Sequence, residues 1–369
     1  MATLSPFPVE ASSTNNAPAK RKKTLVRRVL PDRSQHVRRA VQFAFLLLNA
    51  VIGAQFILWV RYFESTGTTR YFERPAGVDG WLPIAGLMNL RYFAVTRQIP
   101  PIHPSAMILL CVFLLSSVLV KKAFCSWLCP VGTVSEYLWK LGRKLIRRSL
   151  VVPKWLDIPL RGLKYALLAF FVYIVFTMSA MDLGSFLASP FGIVADVKML
   201  NFFRYMGIVG VVVVALLIAL SVYIQNFWCR FLCPYGALMG IVSALSPVKI
   251  RRDAEACIDC GKCNKACPSQ LPVDRLVEIR SVECTGCMEC IAVCPAENAL
   301  QMALVPRKTE ATAVGRWQGR VLKPRMIAVV LAIVFLGLIG AARITGHWQT
   351  NISRDIYMQL VPNAENFDH

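Results

Sequence analysis

The sequence predicts a polytopic α-helical membrane protein of five transmembrane helices with an internal two-helix repeat and a small α+β domain inserted before the fifth helix. Three observations carry this reading. Hydrophobic residues make up 56% of the 369, and the mean hydropathy is positive. Five segments approach the ~20 apolar residues that a spanning helix needs. Eight of the thirteen cysteines fall in one short stretch between the fourth and fifth of them.

Taken in order, residues 1–39 are basic and rich in Ser, Asn and Pro, a composition that reads as a disordered leader. The first span, 40–60, ends at Trp59-Val60-Arg61 without a small-residue cleavage site, so it reads as an anchor and not a secretory signal. Spans at 105–120, 163–181 and 205–227 complete a membrane domain over 40–247. Lys121 and Lys122 close the second span, where long stems can snorkel. The inserted domain covers 248–305, a basic linker 306–325, the fifth span 326–342 and a tail 343–369.

The net charge of +21 is unevenly placed. Lys and Arg concentrate in the leader, after the second span, and between the fourth and fifth spans. This positive-inside bias places the leader and the inserted domain in the cytoplasm of a bacterial inner membrane, and the C-terminal tail in the periplasm. Anionic membrane lipid then answers the basic charge, which excludes nucleic acid as its partner.

The inserted cysteines form two copies of C-x2-C-x2-C-x3-C-P: Cys257, Cys260, Cys263, Cys267 with Pro268, and Cys284, Cys287, Cys290, Cys294 with Pro295. This is the run of the two-cluster bacterial-type ferredoxin, in which the fourth cysteine of each run ligates the other run's cluster. Two-residue gaps let one loop wrap three corners of an iron–sulfur cube, and Gly261 and Gly286 let backbone N–H groups approach the sulfurs. The three-residue step is helical on this reading and turns the fourth thiolate away. One [4Fe-4S] cluster is therefore assigned to Cys257, Cys260, Cys263 and Cys294, the other to Cys284, Cys287, Cys290 and Cys267. A zinc ribbon predicts two pairs per site and no third cysteine at fixed offset. A disulfide framework does not suit a cytoplasmic face.

Four further cysteines repeat in the membrane domain. Cys125-Ser-Trp-Leu-Cys129-Pro130 follows the second span, and Cys229-Arg-Phe-Leu-Cys233-Pro234 follows the fourth. Upstream, Pro75 with Asp79 and Asn89 resembles Pro190 with Asp196 and Asn201. Positions i and i+4 share a helix face, so each copy offers two thiols together. Packed about a pseudo-axis, the copies present four thiols at the inner rim, either as ligands of a further metal or cluster or as redox-active paired dithiols. Cys111, mid-span in an apolar run, reads as a core residue.

The spans, twin C-x3-C-P motifs and downstream two-cluster domain together resemble the NapH/NosR-type family of membrane polyferredoxins over residues 40–305. The resemblance implies electron transfer between the quinone pool and a partner redox protein. It makes quinone or quinol the candidate substrate; among the polar residues of the outer loops Asp79, Asn89, Asp196 and Asn201 read as candidate head-group ligands, with Gln42, Asn49 and Gln55 of the first span beside them. The rival functions are an accessory metal or thiol reductase serving assembly of another redox enzyme, and an iron–sulfur redox sensor. The four histidines flank the spans or lie in tails, which disfavours an intramembrane bis-histidine haem. No G-x-G-x-x-G follows a strand, which argues against a nicotinamide site.

Overall fold

A computed structural model describes residues 26–28, 32–146, 152–304 and 320–367. Most of the expected leader and linker lies outside the described residues. Helix α1 (Ser34–Glu64) nevertheless begins inside the expected leader. Its early start has a cause in Arg38, which is 1% exposed and held by two carboxylates described below.

A 3₁₀ turn (Ala76–Trp81) leads into α2 (Pro83–Thr96), which packs flat on α3 (Pro104–Leu119). A Cβ on Gly86 would lie 2.8 Å from the carbonyl oxygen of Ala106, so this crossing requires glycine. Helix α2 is thus partly internal, burying Gly86, Met88 and Asn89. Short α4 (Ala123–Trp127) and amphipathic α5 (Pro130–Ile146) follow, then α6 (Lys154–Thr177). Next come α7 (Ala180–Ala188), α8 (Pro190–Ile193), α9 (Ala195–Arg204) and α10 (Ile208–Tyr223), the last pair bent by 83°. A π-helical turn (Trp228–Leu232) and α11 (Pro234–Val242) complete the second half.

The inserted domain runs from β1 (Val248–Arg252) through α12 (Lys262–Ala266), β2 (Glu278–Ile279) and α13 (Glu289–Ala292) to β3 (Leu300–Leu304). Its sheet is antiparallel in the order β2-β1-β3, with Ile250 opposite both Ile279 and Met302. Helix α14 (Pro324–Ile344) then packs against α1 and α3. Helix α15 (Arg354–Leu360) covers the end of α1, its Tyr357 ring 5.0 Å from Trp59.

Among the described residues, three helices are long and apolar enough to cross a membrane: α1, α6 from Trp155, and α14. Counting the bent α9–α10 pair as one span gives a fourth. Helix α3 has only sixteen residues, about 24 Å at 1.5 Å per residue, against a hydrocarbon core of about 30 Å. It is also the central helix, buried along most of its length. The outer faces of the others are apolar and open: Leu47 and Val51 on α1, Phe170 and Phe176 on α6, Val209 and Val212 on α10, Ile333 and Leu336 on α14. A belt of this kind fits lipid, not water. One continuous core joins Leu110, Phe113, Trp127 and Met239 of the membrane helices to Val248, Ile250 and Met302 of the inserted domain. The domain is therefore packed onto the helices.

Candidate functional site

Both cysteine loops of the inserted domain have one backbone design. The residues flanking the second cysteine of each run are left-handed: Asp259 and Gly261 (φ 56° and 66°), Gly286 and Met288 (φ 63° and 60°). Left-handed residues at matched positions curl each loop around a centre, and a methionine held there is a strained choice. Helices α12 and α13 occupy the two three-residue steps, so the fourth cysteine leaves its own loop. Cys267 lines a small cavity with Cys284, Cys287 and Cys290. Cys294 lies within electrostatic reach of Cys257 and Cys260. Cys260 is exposed, whereas Cys284, Cys287 and Cys290 are all buried.

The donor set fits iron–sulfur clusters better than single ions. A tetrahedral zinc with Zn–S near 2.3 Å draws its sulfurs to about 3.8 Å from one another. Among the described residues, three ligand atoms come within 4.8 Å of one another only at Asp79, His103 and Asp196; no cysteine set is that tight. Burial also pushes the thiols up, Cys263 to about 11 and Cys287 to about 12. Thiolates in such surroundings need bound positive charge to compensate them.

The four membrane cysteines converge. Cys125, Cys129, Cys229 and Cys233 line one cavity and lie within electrostatic reach of one another. The motifs are not the uninterrupted α-helical i, i+4 pairs expected from spacing. Helix α4 stops at Trp127, and the second motif is a π turn. The proline after each second cysteine is the reason, because it disfavours helical backbone at the residue before it. Cys129 and Cys233 instead sit at the mouths of α5 and α11. Cys233 Sγ accepts the Gly236 N–H at 3.2 Å, and Cys129 accepts the equivalent N–H of Gly132. A helix N-terminus is suited to a thiolate. Burial pushes Cys125 to about 12 and Cys129 to about 11.

Both motifs grip the cysteine loops of the inserted domain. From the first, Ser126 Oγ donates to the Thr285 carbonyl at 2.7 Å and Trp127 Nε1 to the Gly286 carbonyl at 3.3 Å. From the second, Arg230 Nη2 donates to Gln270 Oε1 at 2.8 Å and to Asp157 Oδ1 at 2.5 Å. Arg161 of α6 adds a bond to the Ser269 carbonyl at 2.9 Å. Lys164 and Tyr165 of α6 hold the carboxylate of Glu283, next to Cys284, at 2.6 and 2.7 Å. On the other side Arg38 grips Glu136 of α5 at 2.7 Å and Glu289 of α13 at 2.8 Å. The loops around Cys267 and Cys287 are thus pinned to the membrane helices.

The cavity that holds the four membrane cysteines has a volume of ≈ 1260 Å³. Its wall runs from Gln55, Arg74 and Trp81 through Leu110, Phe113 and Phe171 to the four cysteines, and on to Thr285 and Cys287. The four head-group candidates are all buried, but none is among its lining residues. Asp79 and Asp196 both clasp Arg74 Nη2, at 2.5 and 2.7 Å, and Asp79 also bonds His103 Nδ1 at 3.0 Å. Burial would raise the Asp79 carboxyl, but Arg74 and then His103 hold it well below the usual carboxylate range. The Arg74 guanidinium bonds both carboxylates and lies 3.2 Å from His103 Nδ1, so it occupies the centre that a metal would take. Asn89 caps the Ile102 and His103 carbonyls, and Asn201 bonds Glu365 at 2.7 Å. Asn49 and Gln55 do reach the cavity wall. Sequence reasoning missed Arg74, His103, Lys164 and Glu283, for which no motif gave a signal.

Paired cysteine loops docked on lipid-facing helices define a membrane-bound iron–sulfur protein of the electron-transfer class. Comparison with known proteins agrees. A family model described as "4Fe-4S binding domain" matches twice, at residues 102–149 and 206–253, once over each C-x3-C-P motif. One described as "4Fe-4S dicluster domain" matches 249–295. The putative electron transport protein YccM of Escherichia coli (strain K12) is 50% identical over 90% of this chain and 91% of its own length. The ferredoxin-type protein NapH of Haemophilus influenzae is 28% identical over 42% of this chain and 51% of its own. Protein NirI of Paracoccus denitrificans is 30% identical over 44% of this chain and 23% of its own. The chain belongs to the NapH/NosR-type family of 4Fe-4S membrane proteins. No solved structure matches it significantly.

Proposed function

We propose that this protein relays electrons between the quinone pool and a soluble partner redox protein. Cys257, Cys260, Cys263 and Cys294 hold one [4Fe-4S] cluster, and Cys267, Cys284, Cys287 and Cys290 a second. Cys125, Cys129, Cys229 and Cys233 hold a third metal–sulfur group. Once bound, such groups take up and give back single electrons. The observation that carries the reading is the one cavity whose wall includes all four membrane cysteines and also Thr285 and Cys287 of the inserted domain. It admits an apolar, ring-sized ligand, and it brings that ligand's site and the second loop into one enclosure. Oxidation of a quinol there yields the quinone, two protons and two electrons. Glu73, exposed at the cavity's far end with Oε1 on Gln349, offers a proton acceptor. Exposed Cys260 offers the face on which a soluble partner docks.

In this reading residues 40–247 form the membrane domain and 248–305 the ferredoxin domain. The helices cross five times, with the N-terminus and ferredoxin domain cytoplasmic and the C-terminus periplasmic. The uneven distribution of basic residues supports that orientation. A periplasm-dependent reporter fused to the C-terminus will be active, and a cytoplasm-dependent one there silent.

The relay is tested on purified full-length protein mixed anaerobically with a quinol. Wild type should show reduction of all its iron–sulfur signals. Cys125→Ser and Cys233→Ser should keep both ferredoxin-domain signals yet lose their reduction by quinol. Reduction at the wild-type rate in both variants would place the route elsewhere.

A further inference from the structure

Three lysines are buried at the junction between the four membrane cysteines and the inserted domain. Lys121 and Lys164 are 0% exposed and Lys122 is 3% exposed. Two of them are satisfied. Lys121 Nζ donates to the carbonyls of Ser281 and Arg280, at 2.9 and 3.4 Å. Lys164 Nζ is paired with Glu283 at 2.6 Å. Lys122 is different. It lines the cavity with the four cysteines. Among the described residues no hydrogen bond or ion pair holds its Nζ, which opens onto that cavity.

The surroundings of Lys122 come from every side. Cys125 lies on its own chain segment, and Cys229 and Cys233 face it from the second motif, all within its electrostatic reach. Glu283 faces it from the inserted domain, but that carboxylate is already bonded to Lys164 and Tyr165. Opposite, α11 carries Gly240, and a Cβ there would stand 3.6 Å from Lys122 Nζ. The ammonium thus rests against the α11 face at ordinary contact distance. An ammonium at the wall of a largely apolar cavity is favoured by negative charge close by. Glu283 supplies part of it, and on the cavity side the cysteines supply the rest.

We propose that Lys122 is the fixed counter-charge of the four-cysteine site and sets its reduction potential. The inference rests on the reading that these cysteines hold a metal–sulfur group. Adding an electron there raises local negative charge, and a nearby cation in low dielectric favours the reduced state. Lys122 therefore holds the site's potential above what an uncharged neighbour would give, and it acts through charge, without ligating.

The test is a redox titration of full-length protein followed by EPR, with Cys125→Ser identifying which signal belongs to the four-cysteine site. At a fixed ambient potential, Lys122→Met should shift that site's reduced-to-oxidised ratio at least tenfold toward oxidised, which is about 59 mV for one electron. Lys122→Arg should stay within about threefold of wild type, because it keeps the charge. Loss of that site's iron in Lys122→Met with retention in Lys122→Arg also supports a counter-charge. An unchanged midpoint in Lys122→Met, or loss of iron in both variants, overturns the proposal in favour of packing. If Cys125→Ser keeps the wild-type iron content and spectrum, the four-cysteine reading itself falls, independently of Lys122.

Discussion

Ser126 donates its hydroxyl to the carbonyl of Thr285 at 2.7 Å. Ser126 stands directly after Cys125, and Thr285 directly after Cys284, so the bond ties the first membrane motif to a cysteine loop of the inserted domain. Its loss should loosen the junction without touching a ligand. Ser126→Ala should cost about 1 kcal/mol, the usual net value of one hydrogen bond. Hydrogen exchange should rise at residues 284–287 while iron content stays at the wild-type level.

The loop geometry makes a directional claim about ligation. Cys267 belongs by sequence to the first run, yet it lines the cavity of Cys284, Cys287 and Cys290. Cys267→Ala should therefore weaken the signal of the second run's cluster and leave that of Cys257, Cys260 and Cys263 nearly intact. Iron and sulfide analysis with EPR reads the difference, and finding zinc in their place would sink the assignment.

Gly132 and Gly236 are equivalents in the two membrane motifs, but their surroundings differ. A Cβ on Gly132 would sit 2.4 Å from the Cys125 carbonyl oxygen, whereas on Gly236 the nearest atom, the Cys229 carbonyl oxygen, is 3.5 Å away. Gly132→Ala should cost about 1–3 kcal/mol through overpacking and, on the proposed function, lower the iron content of the four-cysteine site. Gly236→Ala should be tolerated. Equal iron loss in both would contradict the asymmetry.

Glu136 is depressed from 4.5 to about 2: burial alone would raise it, but Arg38 and Lys140 bond its charged form and more than offset that. A depressed carboxyl contributes stability above its ordinary value and loses it as pH falls through the folded value. Glu136→Gln breaks a buried pair and should cost about 3 kcal/mol at pH 7, the lower end for such losses because Glu289 still holds Arg38. Thermal midpoints of wild type and variant in detergent should converge as the pH falls from 4.5 toward 2. A constant gap over that window would show that the charge of Glu136 is not what holds Arg38.

Much of this architecture was legible in the residues. The apolar helices α1, α6 and α14 follow from hydropathy, because lipid contact leaves their outer faces apolar, whereas the expected second span is the short buried α3. The ferredoxin domain follows from cysteine spacing, because converging thiolates tolerate few loop lengths. Charged contacts were not legible. Lys122, Lys164 and Arg38 look like ordinary positive-inside residues until the fold turns them inward, and Arg74 is one arginine in a basic chain. Asp79, Asn89, Asp196 and Asn201 read as head-group ligands because polar residues near spans invite that reading. The fold uses Asp79 and Asp196 to clasp Arg74, and both asparagines as caps and ties. Helix α1 starts at Ser34 because carboxylates from two distant segments neutralise its first turns, which local composition does not reveal.

The contrast between exposed Cys260 and buried Cys284, Cys287 and Cys290 carries a consequence for handling the protein in air. Oxygen attacks solvent-accessible sulfur and iron first. Damage should therefore begin at the exposed Cys260 loop, while the set packed under Ser126 and Trp127 outlasts it. A preparation exposed briefly to air should lose the signal of the first run before that of the second, and with it the contact to any soluble partner. The loop exposed enough to pass electrons to another protein is thus the part of the molecule that ages first.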